Sequence, residues 1–113
     1  MRKVNVLGAE YKISFRSIIE DETFEICDGY CDWTTKEIVV RVEPEVEKGS
    51  LRDMQCYVNK VLRHEIVHAF LFESGLAECS GETDAWAKNE AMVDWFAHQG
   101  MKIYQAWEEA EAI

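Results

Sequence analysis

Proline is nearly missing from these 113 residues, with Pro44 the single example. It sits in Glu43-Pro44-Glu45, where its lack of an N–H ends a run of strands, and no proline interrupts a helical stretch. Long apolar runs are also missing. Val4-Asn5-Val6-Leu7, after Met1-Arg2-Lys3, is too short for the core of a secretory signal, and nothing is long enough to span a bilayer. The expected compartment is therefore the cytoplasm. Basic residues are scarce, 12 against 22 acidic, for a formal charge of −10. Nucleic acids and anionic membranes are bound through basic patches, so neither is an expected partner. The acidity serves solubility and would favour a basic or neutral protein partner. Paired Cys-x-x-Cys spacing does not occur: Cys27, Cys31, Cys56 and Cys79 stand apart, which argues against a thiolate zinc site, and in the cytoplasm they are expected reduced. Cys56 reads as a small core residue. Repeats, low-complexity segments and linkers are lacking, so the expectation is one domain over residues 1–113.

What is present is a globular composition, 48% hydrophobic and 12% aromatic. Val4/Val6 and Tyr11/Ile13/Phe15 alternate with polar residues, predicting strands over Val4–Leu7 and Tyr11–Ile19 with a turn at Gly8-Ala9-Glu10. Gly29–Trp33 and Lys36–Val42 predict a second hairpin around Thr34-Thr35, the latter strand carrying the β-prone Ile38-Val39-Val40. Ser50-Leu51-Arg52-Asp53 reads as a capping box, and Met54, Val58, Val61, Leu62 and Ala69 recur at helical spacing, predicting a helix from about Leu51 to Ser74 closed by Gly75. A polar connection, Leu76–Glu82, follows. A second helix, capped by Ser80 or Thr83, would turn Trp86, Val93, Ala97, Met101 and Tyr104 inward, with Gly100 as a weak point and the residues from Trp107 on as a frayed or amphipathic tail. The order is a small antiparallel or mixed sheet, then two helices: an α+β fold.

The first helix carries His64-Glu65-Ile66-Val67-His68. Histidines four apart project from one helix face, close enough to share one metal ion, with zinc the expected ion for this motif. Glu65 points about 100° around the helix from His64, where it can take a proton from water activated by that metal. The second helix carries Asn89-Glu90 and Asp94. Glu90 and Asp94 are one turn apart. Glu90 can complete a three-ligand site that leaves a position open for water, and Asp94 can accept the free N–H of a ligating histidine.

The two motifs together resemble the gluzincin zinc metallopeptidases, whose pattern is His-Glu-x-x-His on one helix and Asn-Glu-x-x-x-Asp on the next. His64-Glu65-x-x-His68 and Asn89-Glu90-x-x-x-Asp94 match it at every position. The stretch Glu90-Ala91-Met92-Val93-Asp94-Trp95-Phe96-Ala97 is also similar to the Glu-x-Glu-Ala-Asn-x-Phe-Ala of ImmA/IrrE-type metallopeptidases, departing at Met92 and Val93. In length the chain is similar to minimal single-domain gluzincins and to small phage and prophage proteins. The resemblance implies a zincin-like fold and zinc-dependent hydrolysis of a peptide bond in a protein or peptide substrate, a regulator among the candidates. It implies ligands His64, His68 and Glu90, with Glu65 as general base. It also implies that an edge strand, Gly29–Trp33 being one candidate, holds extended substrate. The other reading of the same residues is a zinc-stabilised interaction module that cuts nothing. His98, Tyr30 and Tyr104 are candidate oxyanion donors, against plainer readings as a surface histidine and packing aromatics. The oligomeric state is left open.

Overall fold

Alternation in the first residues becomes a hairpin. In the computed structural model, which describes residues 2–42, 53–81, 86 and 89–113, β1 (Arg2–Val6) and β2 (Ala9–Arg16) pair antiparallel with Val6 opposite Ala9. The loop is thus the two residues Leu7-Gly8, one position earlier than the sequence suggests. Both have positive φ, 51° and 94°, the backbone of a tight turn whose twist matches the strands. Glycine makes that φ easy at the second position. The Asn5 side chain accepts from the Gly8 N–H. Val4, Val6, Tyr11 and Ile13 are buried, and the residues between them face outward.

β2 ends at Arg16, before the expected Ile19. A turn and a short 3-10 segment, Glu22–Glu25, then cross to β3 (Gly29–Asp32), which returns antiparallel to β4 (Glu37–Arg41). β4 inserts beside β2 in parallel, so the sheet is mixed, with order β1-β2-β4-β3. As an inner strand, β4 buries Ile38, Val39 and Val40 alike. Ile38 and Val40 face the helices. Val39 faces the other way, where its cross-strand partner Tyr30 packs against Phe24.

α1 (Met54–Glu73) covers the inner face with Val58, Leu62, Ile66, Ala69 and Phe70. Its cap is Asp53, whose side chain accepts from the Cys56 N–H at 3.0 Å, rather than Ser50, which lies outside the described residues. Gly75, φ 82°, follows the helix as expected, with its N–H on the Phe72 carbonyl. The presumed connection contains one helical turn, α2 (Leu76–Cys79). Glu73 ties the end of α1 to the sheet, accepting from Tyr11 Oη at 2.7 Å and pairing with Lys36.

α3 (Glu90–Glu109) departs from expectation at its cap and its buried face. Its cap is Asn89, accepting from the Met92 N–H, and neither Ser80 nor Thr83; Thr83 lies outside the described residues. The helix runs through Gly100 unbroken. Its buried face is Ile103 and Ala106, with Trp95 and Trp107 partly buried beside them, while Val93, Ala97, Met101 and Tyr104 face solvent. The tail is not frayed: Ala110 and Ala112 are buried, and their carbonyls accept from Arg2 and Arg63. Cys56 is exposed rather than in the core, and all four cysteines are unpaired. Among the described residues, no helix is long and apolar enough to cross a membrane.

Candidate metal centre

The core side of α1 is set by Val58, Leu62, Ile66 and Ala69, one helical turn after another. That register places His64 and His68 on the helix shoulder and Glu65 on the buried side. The histidine rings meet edge to face, centroids 4.8 Å apart, with Nε2 of each 3.1 Å from the other. Burial and the neighbouring His64 both lower the pKa of His68, favouring the neutral imidazole that a metal requires. Two nitrogens on one tetrahedral zinc, at bonds of about 2.0–2.1 Å, stand roughly 3.3 Å apart. The observed spacing is within a few tenths of an ångström of that value, so the pair fits a shared ion.

Glu65 is only 6% exposed. Among the described residues its carboxyl has no hydrogen bond or ion pair, and burial alone pushes its pKa from 4.5 up to about 7. A carboxyl that exchanges its proton near neutrality suits both the taking and the giving of a proton. Together with the two histidines it forms a group of potential ligand atoms within 4.8 Å of one another.

β3 comes unusually close to α1 at this point. A Cβ on Gly29 would lie 2.6 Å from Val61 Cγ1, 3.2 Å from the Val39 carbonyl oxygen and 3.4 Å from Glu65 Cγ. Only a bare backbone fits there. Beside it opens a cleft of about 270 Å³, reaching from His64 and Glu65 past Gly29 and Val61 to Tyr57 and Lys60. Asp28, at the far end, accepts from Tyr57 Oη and lies 3.7 Å from Arg41. β3 is an edge of the sheet, and its register exposes particular groups. The Arg41 N–H donates to the Asp28 carbonyl, so alternation puts Tyr30 in a hydrogen-bonded pair and turns the N–H and C=O of Gly29 and Cys31 outward.

Family models, curated proteins and solved structures give no match to this chain. The gluzincin resemblance therefore rests on the residue pattern alone.

The structure places the motif residues unequally. His64, Glu65 and His68 are together. Glu90, in the first turn of α3, and Asp94 are exposed and lie outside that group. Among the described residues, neither is bonded to His64 or His68; Asp94 lies 3.7 Å from His98. Asn89 serves as the helix cap. Of the candidate oxyanion donors, Tyr30 is committed on the other face of β3, donating to Asp21 at 2.5 Å beside Arg16. His98 and Tyr104 are exposed on α3. Sequence reasoning missed the role of Gly29 and the cleft wall formed by Tyr57 and Lys60. A glycine at the start of a β-prone run was the available signal for the first, since it often marks a close backbone approach. The wall had none, because Tyr57 and Lys60 face Asp28 and Gly29, about thirty residues earlier in the chain, only once the chain is folded.

Proposed function

We propose that this chain is a zinc-dependent hydrolase of peptide bonds, with Glu65 as general base. The observation carrying the proposal is the Nε2 pair of His64 and His68, 3.1 Å apart, beside a buried carboxyl with a pKa near neutrality. His64 and His68 would hold the ion. Glu90 is assigned as the third ligand on the sequence pattern, and Asp94 as acceptor for a ligating histidine's N–H. The bound zinc would supply Lewis acidity, polarising the scissile carbonyl and acidifying water. Glu65 would take a proton from the attacking water and pass it to the leaving amine. Gly29 and Cys31 offer backbone donors and acceptors at the strand edge for an extended peptide, which the cleft beside them would accommodate. Unpaired cysteines, two of them exposed, favour a reducing compartment, so we place the protein in the cytoplasm.

The interaction-module reading keeps the metal and gives up the chemistry. It is favoured by the position of Glu90, which leaves Glu65 as the only further potential ligand grouped with the histidines among the described residues.

Metal analysis of protein purified without chelator, followed by cleavage assays on an unfolded protein, tests both readings. About one zinc per chain is expected, lost in His68→Ala. Hydrolysis should fall by at least about 10²-fold in Glu65→Gln with the zinc retained. Stoichiometric zinc without cleavage of any peptide would select the module. Equal, chelator-sensitive cleavage by wild type and Glu65→Gln would refute the assigned base.

A further inference from the structure

The cleft beside the histidines has a direction. Gly29 meets α1 at Val61 and Glu65, and Trp33, just past β3, stacks on Phe72 with ring centroids 6.0 Å apart. β3 and α1 therefore run side by side in the same sense. Their lengths agree, since four residues of strand and nine of helix both rise about 13 Å. A peptide paired with the outer edge of β3 would follow the same line, passing the histidines and then Lys60 and Tyr57. Two residues of extended chain cover about 6.6 Å, close to the helical turn of about 5.4 Å from His64 back to Lys60. Side chains two apart also share a face. When one peptide residue stands at the histidines, the side chain two residues away reaches the Lys60 end of the cleft.

The charges at that end are unbalanced. Away from His64 and Glu65, the charged side chains lining the cleft are Asp28 and Lys60. Asp28 is already compensated: it accepts from Tyr57 Oη, and its other oxygen lies 3.7 Å from Arg41. Lys60 has no ion pair or hydrogen bond among the described residues; its ammonium stands 5.9 Å from the centre of the Tyr57 ring. The cleft thus offers one uncompensated cation, on a chain whose formal charge is −10. Its volume of about 270 Å³ is less than a site enclosing a whole small molecule needs, and it suits a single side chain.

We propose that Lys60 determines specificity: the cleft receives a carboxylate of the bound peptide, about two residues from the carbonyl that faces the histidines. The inference rests on the proposed function for the placing of a peptide along β3, and it requires that peptide to be bound, not cut. The carboxylate is that of a glutamate or aspartate within the chain, or of the chain's C-terminus. The net charge of −10 favours basic or neutral partners at long range, whereas Lys60 acts within a Debye length. The fitting substrate is therefore a protein without strong negative charge that presents one carboxylate close to the bond at the histidines.

Fluorescence anisotropy tests this with the full chain carrying Glu65→Gln, loaded with zinc so that peptide is held without being cut. The probes are labelled threonine-rich peptides with glutamate, glutamine or lysine placed at each position in turn, made with the C-terminus blocked or free. At one register glutamate should bind about two- to fivefold more tightly than glutamine, the scale of an exposed ion pair, and lysine more weakly than either. Added salt should shrink the difference. A further change of Lys60→Met should remove the preference, and Lys60→Glu should turn it towards lysine. Circular dichroism and zinc content would verify that both variants fold and hold metal. Lys60-dependent binding confined to peptides with a free C-terminus would assign the carboxylate to the chain end. A glutamate preference that survives Lys60→Met would overturn the proposal, as would peptides bound without regard to any carboxylate, or no peptide bound at all. Cleavage of the same peptides by the unsubstituted protein tests the hydrolase reading separately. Lys60-dependent binding without any cleavage would defeat that reading alone, and cleavage indifferent to the charge at residue 60 would defeat this inference alone.

Discussion

Replacing Glu65 with glutamine should stabilise the metal-free protein, and only at high pH. In the folded chain burial raises the Glu65 pKa from 4.5 to about 7. Between those values the folded state keeps a proton that the unfolded state has lost. Stability from this group is therefore greatest at low pH, declines as pH rises through that window, and levels off above about 7. The full displacement corresponds to roughly 3 kcal/mol at about 1.4 kcal/mol per tenfold change in proton affinity. The carboxyl borders an open cleft, and water there lessens the penalty, so about 1–3 kcal/mol is expected. Glutamine has the same shape and never ionises. In urea titrations with chelator present, Glu65→Gln should match wild type near pH 4 and exceed it by about 1–3 kcal/mol near pH 8. Reference to wild type at each pH removes His68, whose lowered pKa would otherwise add a loss of stability on acidification. A difference independent of pH, or a variant less stable than wild type at pH 8, would refute the argument that Glu65 is a buried carboxyl without a compensating partner. Loading with zinc should shrink the pH 8 advantage, because a nearby dication favours the carboxylate.

Gly29→Ala should cost about 1–3 kcal/mol, since its Cβ would fall 2.6 Å from Val61 Cγ1; thermal melts should show the loss, and partial recovery in Gly29→Ala/Val61→Ala. Asp53→Ala should cost about 1 kcal/mol in urea unfolding by removing the cap of α1. If Asp94 orients a ligating histidine, Asp94→Ala should weaken zinc about 10- to 100-fold in competition with a chromophoric chelator, and Glu90→Gln should do so at least as strongly. Unchanged affinity in both would confine the metal site to α1.

Local rules were enough for much of this molecule. Period-two alternation in Val4–Val6 and Tyr11–Ile13, and the apolar repeat from Met54 to Ala69, determined the strands, the motif helix and the α+β order, because each element's spacing reflects its own geometry. The same geometry placed His64 and His68 side by side, since residues four apart on a helix are neighbours whatever else the chain does. Caps were less legible: Asp53 and Asn89 compete with nearby serines and threonines that carry equally good acceptors. What only the tertiary structure decided is which face each element buries. On α3, two apolar stripes satisfy the same periodicity. Contact with α1 and β1 selected Ile103 and Ala106, leaving Val93, Met101 and Tyr104 outside. The burial of Glu65 depends likewise on β3 reaching α1 through Gly29, and the position of Glu90 on where α3 begins. Such packing is fixed between segments distant in sequence, and no local spacing encodes it.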